Sequence, residues 1–316
     1  MDKRNFLLGA APAVGLSTLV SVWGDQNVDN QRVLSASQAG VTSPNGGRHM
    51  DDIPRSADAK ITVERREQIV LIGINRPQIF NRIDPEAFYG LARAYYDFDI
   101  DSTLRAAVLF GHGDHFSRGN DVEAFSALAK SGQSFKLGEG QIDPLGRAQR
   151  LSKPLVVVVH GDTWNMGHEL YLAADIRVAN ADVRYGQNEN AHGRVPGTAP
   201  VRFVREAGWA NAMRYLLTGD YWDAQTAYRM GIVQEVAPDK SAALKLGIDI
   251  ANRVAACGPL GIKATLKVAH LGINDSADAA AFAELEREYV SLFKSEDFIE
   301  GRRAEAENRP PIFHGR

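Results

Sequence analysis

A regular alternation of apolar and polar positions begins at Ile61 and is absent before it. Ile61–Arg65 and Ile69–Asn75 predict two strands joined by a polar turn at Arg66-Glu67-Gln68. Asp84-Pro85-Glu86 opens a helix: Asp84 can cap the free amides, and Pro85 suits the first helical position. Phe88, Leu91, Ala92 and Tyr95 follow at helical spacing. Ala106–Phe110 and Leu155–Val159 are short continuous apolar runs, as expected of strands covered on both faces. Ile176–Ala179 reads as a further strand, and helices are expected at Gly167–Ala174, Pro200–Glu206, Ala210–Leu217, Asp223–Met230 and Ser241–Ala256. Strands alternating with helices imply an α/β chain with parallel sheets and helical crossovers. Asp278–Glu307 reads as a long amphipathic helix with Ala281, Leu285, Tyr289 and Leu292 on one stripe. It has no strand partner, so it should pack on the core or on a neighbouring subunit.

The pattern divides the chain into four parts. Residues 1–24 carry Lys3 and Arg4 ahead of an apolar run, the layout of an export signal close to the twin-arginine type, or of an anchor. The alternative is a cytoplasmic protein that starts at Met50. Residues 25–58 are rich in Gly, Ser, Asn, Asp and Gln and read as a flexible linker. Residues 59–255 form the core, and residues 256–316 form a C-terminal helical region.

Composition narrows the chemistry. With 316 residues, 44% of them apolar, the chain can bury a sizeable core. A net charge of −3 gives no sign of nucleic acid or an anionic membrane as partner. The single cysteine, Cys257, excludes an internal disulfide or a cysteine metal cluster, and a small buried residue is expected there. His168-Glu169 lacks a second histidine at helical spacing, so no zincin motif is present, and no Walker loop occurs.

Two carboxylates stand out. Glu169 sits in the first turn of a nearly all-apolar helix, where a carboxylate is costly unless it has partners. The helix dipole can stabilise its charged form, and a first-turn glutamate of any helix is the bland reading. Glu189 lies 20 residues on, past a strand and a turn, and its bland reading is a solvated loop residue between Asn188 and Asn190.

Several segments, in order, carry a resemblance. They are Arg76-Pro77 with Asn81, the loop Gly111-x-Gly113 to Phe116, Gly119 and Asp121, and Lys153-Pro154 with its strand and Gly161. Glu169-Leu170, Ala174-Asp175, Tyr185 to Glu189, and Val195-Pro196-Gly197 follow. Leu217-Thr218-Gly219 and Ser295-x-Asp297-x-x-Glu300-Gly301 complete the series. Over roughly residues 60–316 the chain resembles the crotonase (enoyl-CoA hydratase/isomerase) superfamily. The resemblance implies a spiral of β-β-α repeats with a C-terminal helical region, usually in trimers or dimers of trimers. It implies an acyl-CoA substrate that brings its own CoA, with no metal and no other cofactor.

The resemblance also assigns residues. Glu169 and Glu189 match the two hydratase carboxyls, and the backbone N–H groups of Arg118 and Met166 match the oxyanion hole. Ser117, Gly119, Asp121, Trp164, Gly167, His192, Pro196 and Gly197 fall on the substrate-binding segments. Asn165-Met166-Gly167 stands where the family often has three glycines, so Met166 and Trp164 add bulk beside the acyl pocket. Arg118 replaces a small residue, and its side chain can reach a nucleotide phosphate or face solvent. His192 replaces an aliphatic residue and reads as an extra polar pocket group, a proton shuttle or a surface histidine. The expected reaction is hydration of a 2,3-unsaturated acyl-CoA. Hydrolysis of a β-diketone or thioester, double-bond isomerisation, and a non-catalytic binding role are the alternatives.

Overall fold

The computed structural model describes residues 59–131, 135–273 and 293–312. The expected signal, the linker and the Ala281–Leu292 stripe lie outside them.

A six-stranded sheet forms the centre, with strand order β1-β2-β3-β4-β6-β9. Its members are β1 (Ile61–Arg66), β2 (Ile69–Ile74), β3 (Ala106–Gly111), β4 (Leu155–Val159), β6 (Ile176–Asn180) and β9 (Glu235–Ala237). Only the first pair is antiparallel, because a two-residue turn joins β1 to β2. The other pairs are parallel and are reached through crossovers. Every residue of β2, β3 and β4 is buried, so these strands are covered on both faces, as their continuous apolar runs require.

Alternate residues divide between two cores. Ile72, Leu109 and Val157 face α1 (Pro85–Ile100) and its neighbours. Leu71, Val108 and Val158 face α7 (Lys240–Ala255) on the other side. The expected cap is in place, since Asp84 accepts the Ala87 amide at 2.8 Å, and Asp239, not anticipated, accepts the Ala242 amide at 2.8 Å at the start of α7. Gly247 sets how closely α7 approaches the sheet, since a Cβ there would lie 2.3 Å from Val158 Cγ2. Alanine at 247 gains about 1 kcal/mol of helix propensity. It also forces apart two packed elements, at about 1–3 kcal/mol. Gly247→Ala should therefore lower the midpoint of urea unfolding. An unchanged or higher midpoint would contradict the close packing.

A second, three-stranded sheet of β5 (Asp162–Trp164), β7 (Arg184–Gly186) and β8 (Tyr221–Asp223) was not legible in the pattern, since three-residue strands carry no period. Around it lie α3 (Met166–Ala173), α4 (Ala199–Ala207), α5 (Trp209–Leu216) and α6 (Ala224–Arg229). Short helix α2 (Val122–Lys130) also escaped the sequence reading, whereas helix α8 (Pro259–Ile273) lies in the expected C-terminal helical region. The expected single helix over Asp278–Glu307 is not continuous: residues 293–295 are turn and bend, and α9 (Glu296–Ala306) starts after them, its N-terminus capped by Ser295 on the Phe298 amide.

Cys257 corrects an expectation. It is exposed, because α7 ends at Ala255 and the thiol falls beyond the C-cap Ala256. No helix among the described residues is long and apolar enough to cross a membrane.

Candidate active site

The small sheet brings the two glutamates together. β5 and β7 run parallel, with Trp164 opposite Gly186. Chain leaving β5 turns directly into α3 and reaches Glu169, while chain leaving β7 reaches Glu189 three residues later. Two carboxyls 20 residues apart thereby emerge from one sheet edge.

Glu169 is 4% exposed and Glu189 8% exposed, so neither is a solvated surface group. Oε2 of Glu169 accepts the Thr198 amide at 2.6 Å and the Thr198 hydroxyl at 2.8 Å. Burial pushes its pKa up, and these two donors pull it back. Oε2 of Glu189 has no hydrogen-bond partner among the described residues. Burial first, then the charge of Glu169, raises the Glu189 pKa well above the ordinary range. Burial thus raises both carboxyls, but Glu169 has two donors for its ionised form, whereas Glu189 is pushed further toward its protonated form.

Gly197 presses on this pair. A Cβ at 197 would lie 2.1 Å from Glu169 Oε1, and its φ of +47° is in the left-handed region. Glycine is required here on both counts. Pro196 and Gly197 are both buried. Thr198, the donor to Glu169, is a functional residue that the sequence reading missed. A hydroxyl residue directly after Pro-Gly is the signal that could have found it.

The oxyanion donors need a correction. The Arg118 amide donates to the Phe80 carbonyl at 3.0 Å and is not available to a ligand. The Gly119 amide donates to Ser117 Oγ at 3.1 Å, and the Asp121 amide to the Ile83 carbonyl at 2.8 Å. Asn120 pairs with Ile83 in a parallel bridge whose bonds are made by its two neighbours. Its own N–H faces the other way and makes no hydrogen bond among the described residues. The Met166 amide is in the same state, at the first position of α3. Its nitrogen is 3.2 Å from where a Cβ of Gly119 would stand, which puts the two free amides on either side of one close approach.

Asn165 aims the Met166 amide. It has φ 52° and ψ −122°, a conformation that costs a non-glycine residue about 1–3 kcal/mol. Three contacts hold it there: its amide donates to the Gly186 carbonyl, its carbonyl accepts from Gln187 Nε2, and its Oδ1 accepts from the Asn188 amide. Gly167 is needed because a Cβ would lie 2.6 Å from the Ser117 carbonyl oxygen.

The remaining candidates divide. Ser117 is fully buried and donates to the Asn81 carbonyl at 2.8 Å, so it shapes the loop and does not face a ligand. Asp121 caps α2 through the Ala124 amide at 3.2 Å and stands 3.5 Å from Arg76. The Arg118 guanidinium lies over the rings of Phe80 and Trp164, at 3.9 and 4.8 Å, and its Nε donates to Asp162 at 2.6 Å. Trp164 is further flanked by Arg184 and Tyr221 on the small sheet. His192 turns Nδ1 to the Asn188 carbonyl at 2.9 Å, and its own carbonyl backs onto Gly301 of α9. Neighbouring His168 is fully buried and its pKa is pushed down to about 3, so it stays neutral. No cluster of metal-ligating side chains occurs among the described residues.

Relatives share this architecture. Residues 64–316 match the family model described as enoyl-CoA hydratase/isomerase. Enoyl-CoA hydratase EchA19 of Mycobacterium tuberculosis is 33% identical over 261 residues, covering 80% of this chain and 96% of that protein. The (E)-benzylidenesuccinyl-CoA hydratase of Thauera aromatica is 29% identical, covering 81% of this chain and 99% of that protein. The crystal structure of a probable enoyl-CoA hydratase/isomerase from Mycobacterium abscessus is 40% identical, with a TM-score of 0.65 over 81% of this chain and 99% of that one. That of carnitinyl-CoA hydratase from Mycobacterium avium is 29% identical, with a TM-score of 0.73 over 81% of this chain and 99% of that one. With its family model matched across the folded region, the chain belongs to the enoyl-CoA hydratase/isomerase family and is an enzyme of the hydratase/isomerase type with the crotonase fold.

Proposed function

We propose that the protein adds water across the 2,3 double bond of an unsaturated acyl-CoA thioester, with Glu169 and Glu189 dividing the proton transfers. The carrying observation is the contrast between the two carboxyls: Oε2 of Glu169 accepts two hydrogen bonds from Thr198, while Oε2 of Glu189 is buried with none among the described residues. Opposed environments of this kind separate a base from an acid.

The thioester oxygen accepts hydrogen bonds from the Met166 and Asn120 amides, which need not reorganise as an enolate forms. Glu169, ionised, takes a proton from water as its oxygen bonds to C3. Oε2 is occupied by Thr198, which leaves Oε1 for that water. Glu189, protonated, delivers its proton to C2 as the enolate collapses. Glu169 then carries a proton and Glu189 a charge, and exchange with solvent restores both. CoA enters only as part of the substrate. A trimer-based assembly belongs to the same reading, and the exposed Trp209, Leu217 and Tyr228 offer it apolar contact area.

A substrate panel tests the reaction. Purified protein should convert 2-enoyl-CoA esters to products heavier by one water and leave CoA-free β-diketones intact. Cleavage of the diketone, or release of free CoA without hydration, would overturn the proposal in favour of a hydrolase.

A further inference from the structure

Asn165 is gripped by the three residues that run up to Glu189. Its amide donates to the Gly186 carbonyl at 2.9 Å, and its Oδ1 accepts the Asn188 amide at 3.2 Å. Its carbonyl accepts from Gln187 Nε2 at 3.2 Å. The last of these bonds bears most directly on the chemistry. The Asn165 carbonyl and the Met166 N–H belong to one peptide group, which is planar. Holding the oxygen from one side therefore fixes where the hydrogen points on the other.

Gln187 is fixed in its turn by His168, and both are fully buried. The Asn165 carbonyl can only accept, so the Gln187 amide must present its NH2 group to it. The same nitrogen lies 3.1 Å from His168 Nδ1. The two hydrogens of one NH2 group thus meet two acceptors, and the ring proton of His168 sits on Nε2. Burial holds the His168 pKa down to about 3, so the ring stays neutral and Nδ1 stays an acceptor. Tyr171, Phe203 and Trp222 box the ring in, with centroids at 5.7, 5.1 and 5.1 Å.

This arrangement has a cost. His168 Nε2 and Gln187 Oε1 are buried with no partner among the described residues. A phenylalanine would fill the aromatic box without burying an unpaired ring nitrogen, so packing does not account for a histidine at 168. Orienting the Gln187 amide does.

We propose that His168 and Gln187 are positioning residues of the oxyanion hole: His168 orients the Gln187 amide, and Gln187 holds the Asn165 peptide so that the Met166 N–H points at the thioester oxygen. The inference rests on the acyl-CoA reading of the Glu169–Glu189 site. Asn165 is what makes the clamp necessary. Glycine would rest at φ 52° and ψ −122° without strain, whereas asparagine must be held there.

The test pairs hydration kinetics on 2-butenoyl-CoA with infrared difference spectra of bound butanoyl-CoA, isotopically labelled at the thioester carbonyl. Hydrogen bonds to a carbonyl lower its stretching frequency, so the parent should shift the band down. Gln187→Met keeps the length of the side chain and loses both donors. It should reverse part of that shift and lower kcat roughly tenfold to a hundredfold, with little change in KM. His168→Phe keeps a ring and removes the acceptor; it should move both readings the same way by less, which covers a failure of Gln187→Met to fold. In an Asn165→Gly background, Gln187→Met should cost roughly threefold or less, because glycine needs no clamp. A merely structural role would lower stability and leave the band of the folded protein in place. A parent-like band and kcat in both single variants overturn the inference while leaving hydration intact, and so does an equal loss from Gln187→Met in the two backgrounds. If the parent neither shifts the band nor hydrates the ester, the acyl-CoA reading fails, and this inference with it.

Discussion

Glutamine in place of Glu189 should lower kcat for hydration by roughly 10²–10⁴, the usual worth of a positioned acid or base. Glutamine keeps the size of the side chain and cannot deliver a proton to carbon. KM should change little, because the carboxyl acts in the transition state more than in binding. Glu169→Gln should produce a loss of similar size, and the double variant much less than the product of the two. A second readout separates chemistry from folding. Burial keeps Glu189 protonated in the folded chain to higher pH than in the unfolded one. The folded state therefore binds the extra proton, and stability falls as pH rises from the unfolded value toward the raised folded one. Glu189→Gln removes this dependence. It should melt above the parent at pH 8, with the gap closing as pH falls toward the ordinary glutamate value of 4.5. Near-normal turnover in Glu189→Gln would remove this residue from the reaction, and His192 would be the next to test.

Gly197→Ala is expected to cost about 10²-fold or more in kcat with a much smaller loss of stability. The new methyl would stand 2.1 and 2.3 Å from the two oxygens of Glu169. Those atoms end a flexible side chain, so the carboxyl moves and the fold survives. The backbone at φ +47° adds about 1–2 kcal/mol of strain. Displacing a reacting group by about 1 Å suffices for a hundredfold loss. Circular dichroism and thermal melting should show a folded protein with a modestly lower Tm. Activity within threefold of the parent would mean that the position of Glu169 does not limit the reaction.

Long elements were legible because burial repeats along them. The runs in β2, β3 and β4, and helices α1 and α7, follow from apolar spacing, with Asp84 marking the start of α1. Strands of three residues left no such trace, although β5 and β7 are what bring Glu169 and Glu189 together. Glu189 sits among asparagines, and its burial comes from tertiary packing that no local pattern records. The Arg118 amide failed as an oxyanion donor for the same reason: its acceptor, the Phe80 carbonyl, lies 38 residues earlier in the chain. Cys257 was misplaced by the assumption that an apolar helix buries its last residues, whereas the helix ends before it. Asn165 was visible as a break in a glycine run. That its strained backbone aims the Met166 amide is a property of the fold.

The division of labour between the two carboxyls is tested most directly by proton exchange. Glu169→Gln and Glu189→Gln, each incubated with an acyl-CoA substrate or its hydrated product in deuterium oxide, can be followed by mass spectrometry at C2. Glu169→Gln, which retains the group assigned to C2, should still incorporate deuterium there while hydrating slowly. Glu189→Gln should incorporate none. Deuterium at C2 in Glu189→Gln at the rate of the parent would contradict the account.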